Sequence, residues 1–172
     1  MDSRIYLAEN KVIVEEKKTA DQLQSKGFGE RKGNQLILDL FEAVYLMRKE
    51  KIAVTDLRDR ELTENDLLKK GLSIDKKFYS KLIVFESLKQ AGYVLKSGLK
   101  FGSDFRVYPK GKKAGEAHTQ WTLNVYSEDM KMNFPELSRL IRLTQNIKAN
   151  ALIAVVDREN DVNLFEIKRV TV

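Results

Sequence analysis

From Lys77 onward the apolar residues change their spacing, and that change limits the architectures open to this chain. Phe78, Leu82, Ile83, Phe85, Leu88 and Ala91 recur at helical intervals until Gly92 closes the pattern. Short strand-like runs follow at 93–95, 99–101, 104–108 and 119–126. A second helical pattern opens near Pro135 and is expected to turn Leu137, Leu140, Ile141, Leu143, Thr144 and Ile147 inward. The run 151–156 is uninterruptedly apolar and reads as a buried strand, 157–161 as a polar turn, and 162–170 alternates as a last strand. Helices interleaved with strands in this way give an α/β (mixed α+β) fold.

The first part of the chain is patterned differently. Residues 4–16 alternate as a hairpin turning at Glu9-Asn10, with Ile5, Leu7, Val12 and Val14 on one face. Gly27, Gly29 and Gly33 mark loops or strand ends, and Asn34 reads as the cap of a helix over 35–49. A strand is expected at 52–54. The charged span 56–77 carries a helix start at Thr63 and an end near Gly71, and reads as the connection between two lobes. The division expected is 1–76 for the N-terminal domain with its connecting segment and 77–172 for the C-terminal one.

Composition narrows the chemistry. The 172 residues contain no cysteine and one histidine, which excludes disulfides, thiolate metal sites and cysteine nucleophiles and leaves little for a zinc or iron site. No metal and no cofactor is expected. No apolar run approaches the roughly 20 residues of a membrane span, and the first residues lack an apolar signal region, so a cytosolic protein without membrane partners is expected. The net charge is +6, and residues 1–50 hold nine of the 31 basic and nine of the 25 acidic side chains, leaving 22 and 16 for the rest. Such a basic second part suits a polyanion held through phosphate contacts, although an ordinary solvated surface accounts for the charge as well. Within it stand Tyr108 and, ten residues later, the lone His118. A tyrosine and a histidine on adjacent short strands, with no clustered carboxylates, are the parts needed to cut RNA without a metal.

The segment 92–108, Gly-Tyr-Val-Leu-Lys-Ser-Gly-Leu-Lys-Phe-Gly-Ser-Asp-Phe-Arg-Val-Tyr, and the segment 151–157, Ala-Leu-Ile-Ala-Val-Val-Asp, resemble the archaeal tRNA-splicing endonuclease family. The likeness covers 78–172 well and 33–46 less distinctively. It implies an N-terminal α/β lobe and a C-terminal nuclease lobe with a central mixed sheet flanked by helices. It further implies a dimer-of-dimers assembly, a homotetramer for a chain of this length. The implied partner is precursor tRNA, cut at exon–intron borders in a bulge–helix–bulge element to leave 2′,3′-cyclic phosphate and 5′-hydroxyl ends.

By the resemblance Tyr108 is the base and His118 the acid. A tyrosine of solution pKa about 10 is a poor base unless cations favour its phenolate; Arg106, Lys110, Lys112 and Lys113 are near in sequence. Where the family has a lysine at the end of the second helix, this chain has Ala149, with Lys148 beside it. Either the helix end frays and Lys148 reaches in, or the cation is lost; the second is expected, at a cost of roughly 10²–10³ in rate with folding and RNA binding kept. Arg142 and Arg169, or Lys168 in its place, are implied to sandwich a flipped bulge base. The acidic turn Asp157, Glu159 and Asp161 is implied to enter a positive cleft on another dimer, and the last strand, with Phe165, Ile167 and Val170, to pair across a two-fold axis. Three other readings stay open: a noncatalytic subunit of a heteromeric endonuclease, an RNA-binding module, and a restriction-type nuclease, which requires a carboxylate cluster and magnesium.

Overall fold

The N-terminal hairpin forms as its alternation requires. The computed structural model describes residues 4–112, 115 and 117–170. In it β1 (Ile5–Ala8) and β2 (Lys11–Val14) pair antiparallel about Glu9 and Asn10, with Ile5 opposite Val14 and Leu7 opposite Val12. The helix α1 (Lys17–Ser25) was not expected. Only Ala20 and Leu23 of it are buried, too thin an apolar stripe to register as a period.

The segment 35–49, read as one helix capped by Asn34, is two elements. After β3 (Glu30–Lys32), β4 (Gln35–Asp39) is a strand paired with β2 on one side and β3 on the other, and α2 (Leu40–Arg48) begins only beyond it. Leu36 and Leu38 lie fully buried opposite Val14 and Val12, so two-residue alternation and pairing on both edges outweigh the helix preference of leucine. The helix start is marked by Glu42, buried, whose carboxylate accepts the amides of Asp39 and Gly29, each at 2.9 Å.

β5 (Val54–Thr55) starts two residues later than expected and runs parallel to β1. β6 (Glu61–Leu62) pairs with β5, and α3 (Glu64–Ile74), capped by the Thr63 hydroxyl, packs on α2. The charged span 56–77 is therefore folded into this unit rather than strung beyond it. The sheet order is β3-β4-β2-β1-β5-β6.

The second sheet follows α4 (Phe78–Gln90) and contains β7 (Val94–Ser97), β8 (Phe105–Tyr108), β9 (Trp121–Ser127), β10 (Asn150–Val156) and β11 (Val162–Ile167). A 3₁₀ turn, Leu99–Phe101, replaces the strand expected at 99–101. Between β9 and β10 runs α5 (Phe134–Asn146), capped by Asn133 and packed on β10. Its inward face is narrower than expected: Leu140 and Thr144 are buried, whereas Leu143 is 43% exposed. The order is β11-β10-β9-β8-β7, antiparallel except for β9–β10, and the last strand stops at Ile167 rather than Val170. The chain thus forms two compact units, Met1–Leu82 and Ile83–Val172, each a mixed sheet with helices, the boundary falling inside α4. No helix among the described residues is long and apolar enough to cross a membrane.

Candidate active site

The hairpin that carries Tyr108 is fixed by a turn with no spare room. A Cβ on Gly98 would lie 2.3 Å from the Ser103 hydroxyl oxygen and 2.8 Å from the Ser103 carbonyl oxygen, so only glycine fits there. The Ser103 hydroxyl is shared between the Gly98 and Phe105 carbonyls, at 3.4 and 3.3 Å. Asp104 then ties the start of β8 to β9: its amide donates to the Leu123 carbonyl at 3.0 Å, and its Oδ2 accepts the Val125 amide at 2.8 Å. With β8 held at both ends of this clamp, alternation divides its side chains. Phe105 meets Phe85 of α4, ring centroids 6.2 Å apart, and Arg106 and Tyr108 point to the other face.

Tyr108 is 4% exposed and stands opposite Val94. The guanidinium of Arg106 lies 6.0 Å from its ring centroid. Of the other cations near in sequence, Lys110 is committed elsewhere, its ammonium 5.0 Å from the ring centre of Tyr93, and Lys112 is exposed. Lys113 lies outside the described residues. His118 is exposed on the segment leading into β9.

The register gathers these positions at one end of the sheet. Val107 pairs with Trp121, and Trp121 with Asn150; just beyond, the Gln120 amide donates to the Val107 carbonyl at 2.9 Å and the Asn150 amide to the Gln120 carbonyl at 3.0 Å. The end of β8 with Tyr108, the entry to β9 with His118 and the entry to β10 with Ala149 therefore meet there. β11 runs antiparallel to β10 with Ile167 opposite Ala151, so Lys168 and Arg169 come to the same end. The turn 157–161 lies at the opposite end. Arg142, exposed on α5, is set back by roughly 6 Å from the helix end at Asn146, at a rise of about 1.5 Å per residue.

Ala149 is buried and Lys148 exposed. Both were expected at the end of the second helix, and the structure places them just beyond it. The helix has already ended: the Lys148 amide donates to Gln145 at 3.0 Å, the Ala149 amide to Thr144 at 3.1 Å, and Lys148 itself is left-handed at φ +54. This is a Schellman turn with lysine where glycine is usual. Its side chain makes no ion pair among the described residues.

At the β11 end, the Trp121 indole donates to Glu166 Oε1 at 3.0 Å, and Lys168 pairs with the same oxygen at 3.3 Å. The indole hydrogen bond, with Lys168 beside it, holds the Glu166 carboxyl below the usual carboxylate range. Lys168 is thus engaged, and Arg169 has no such partner among the described residues. In the acidic turn Asp157 Oδ1 accepts the amides of Glu159 and Asp161 at 3.0 and 2.8 Å, so Asp157 builds the turn while Glu159 and Asp161 face outward, exposed. No group of three or more histidine and carboxylate side chains among the described residues is arranged to hold a metal. Near this end of the sheet the rings of Tyr93 and Trp121 meet edge-to-face at 5.9 Å.

Two family models match this sequence: tRNA intron endonuclease, N-terminal domain, over residues 3–68, and tRNA intron endonuclease, catalytic C-terminal domain, over residues 78–164. The chain is 38% identical over 164 residues to a tRNA-splicing endonuclease of Pyrococcus abyssi, covering 95% of this chain and 94% of that one. It is 37% identical over 164 residues to the Pyrococcus horikoshii tRNA-splicing endonuclease, with the same coverage, and 30% identical over 156 residues to that of Methanococcus vannielii, covering 91% and 88%.

Proposed function

This chain belongs to the tRNA intron endonuclease family, and from that membership we propose that it is a tRNA-splicing endonuclease, cutting precursor tRNA at the borders of exon and intron. The reading is supported most by the match of both family domains in order along one chain whose relatives it covers almost end to end. The recognised element is a bulge–helix–bulge, and such a substrate sets the enzyme in the cytosol. The assembly is a dimer of dimers, paired through β11 and joined through the outward carboxylates of the 157–161 turn.

In the reaction the ribose 2′-oxygen bonds to the adjacent phosphorus as the bond from phosphorus to the 5′-oxygen breaks. Tyr108 takes the 2′-hydroxyl proton and His118 delivers a proton to the departing 5′-oxygen, leaving a 2′,3′-cyclic phosphate and a 5′-hydroxyl. Charge builds on the nonbridging oxygens at the transition state, and a cation there is worth roughly 10²–10³ in rate. Ala149 supplies none. Lys148, exposed on the turn just before it, is the fallback. Arg142 and Arg169 grip a flipped bulge base between guanidinium planes, with Lys168 in reserve.

The test is cleavage of a bulge–helix–bulge RNA in EDTA by this chain and by Ala149→Lys. Faster cutting by the lysine form, with cyclic-phosphate ends, is expected. No cutting by either form overturns the nuclease reading in favour of a noncatalytic subunit or an RNA-binding module, and cutting only on adding magnesium overturns the mechanism.

A further inference from the structure

Arg106 is on β8 two residues before Tyr108, so both side chains share a sheet face. Its Nε donates to the Ser97 carbonyl at 3.0 Å, and its guanidinium carbon lies 5.0 Å from the ring centre of Phe101 and 6.0 Å from that of Tyr108. One nitrogen is therefore spent on the backbone of the paired strand, and the group is backed by a ring. Arg106 is half-buried, yet no carboxylate pairs with it among the described residues. Its register partner across the hairpin is Lys96, a second cation and a buried one.

A guanidinium carries five N–H donors, and with Nε–H committed the four on the terminal nitrogens remain as the planar fork that fits two oxygens of one anion. Those nitrogens make no hydrogen bond among the described residues and are not among the buried unpartnered atoms. A half-buried positive charge without a carboxylate calls for its counter-ion from outside the chain.

We infer that the terminal nitrogens of Arg106 are a phosphodiester-binding fork, engaging the nonbridging oxygens of the linkage that lies against Tyr108. The inference rests on the nuclease reading and assigns to Arg106 the positive charge that position 149 lacks. Ser97 and Phe101 hold the fork, whose stem is fixed by the strand it pairs with.

The experiment measures binding by fluorescence anisotropy to a bulge–helix–bulge RNA made uncleavable by a 2′-deoxy sugar at the cleavage nucleotide. Two versions carry a normal phosphodiester or an uncharged methylphosphonate at that linkage. For the unaltered chain the methylphosphonate is expected to weaken binding about tenfold, the size of one charge-assisted bidentate contact. Arg106→Ala weakens binding of the phosphodiester RNA about tenfold and leaves the two RNAs bound alike. Arg106→Lys, which keeps the stem over Phe101 but not the fork, retains a difference of about threefold. A merely structural arginine gives a different pattern, since Arg106→Ala and Arg106→Lys then weaken both RNAs equally and the tenfold preference persists; that result overturns the inference while leaving the function standing. If the unaltered chain binds the bulged RNA no better than a plain duplex, the function falls and the fork with it.

Discussion

Lys148 holds a backbone conformation that its side chain disfavours. At φ +54 an L-residue with a Cβ is strained by roughly 1–2 kcal/mol, and the Schellman turn that imposes it is fixed by the amides of Lys148 and Ala149. Replacing it with glycine removes the clash but gives the unfolded chain more freedom. Lys148→Gly is accordingly expected to raise stability by about 1 kcal/mol, or roughly 3 °C in Tm for a chain of this size. An unchanged or lower midpoint in thermal unfolding by circular dichroism contradicts that account of the turn. Asp104 teaches a related lesson about motifs. It stands in the run Gly-Ser-Asp-Phe-Arg on which the family likeness rests, yet its carboxylate is occupied with the Val125 amide. Its part is to fix the strand whose next alternate residues are Arg106 and Tyr108, so a motif residue here serves geometry.

At the scale of elements, legibility followed the strength of the local signal. The hairpin at 4–16, the start of α3 at Thr63 and the buried strand at 151–156 were readable because period, turn and cap all agree there. The run Leu36-Ile37-Leu38 was not, since three consecutive apolar residues fit a helix or a strand equally until pairing decides; the Asp39-x-x-Glu42 signature was the one local clue to the true helix start. At the site, the ends of β8, β9 and β10 could be placed together only by register, which a sequence does not print. The junction of α3 and α4 carries a further prediction. Burial alone would raise the Asp75 carboxyl, but the Lys81 ammonium at 2.6 Å and the Lys77 amide at 2.8 Å outweigh it and hold the group below the ordinary carboxylate range. A carboxylate whose folded pKa is depressed contributes stability above its unfolded value of about 3.9, and that contribution disappears as pH falls through the folded value. Asp75→Asn is therefore expected to be less stable than the unaltered chain at pH 7 and to converge with it in acid, once pH lies below the folded value of the Asp75 carboxyl. Urea midpoints at pH 7 and in acid check this, and a gap that stays constant would mean the carboxylate's charge is not what matters.

At the scale of the whole molecule, the last strand leaves both backbone and side chains open. β11 is the edge of its sheet, bonded to β10 on one side only, so its outer N–H and C=O groups have no strand partner among the described residues. Side chains on both faces of this edge are open as well: Leu164 is 43% exposed and Phe165, alternating to the other face, 54%. A single helix laid on the sheet could cover one face but not the other, whereas a second copy of the strand set antiparallel along the edge satisfies the backbone and buries both residues. A two-fold pairing does this with identical surfaces, and in the proposed assembly it leaves the turn at Asp157–Asp161, at the far end of β10, free for the second kind of contact, between dimers. The two contacts can be separated. Phe165→Arg sets like charges against each other across the two-fold axis and is expected to give particles smaller than the unaltered assembly in light scattering. Reversing Glu159 and Asp161 to lysine, which spares the turn-building Asp157, is expected to stop assembly at the dimer. A chain of 19.9 kDa that scatters as a monomer before any substitution contradicts the assembly at its root.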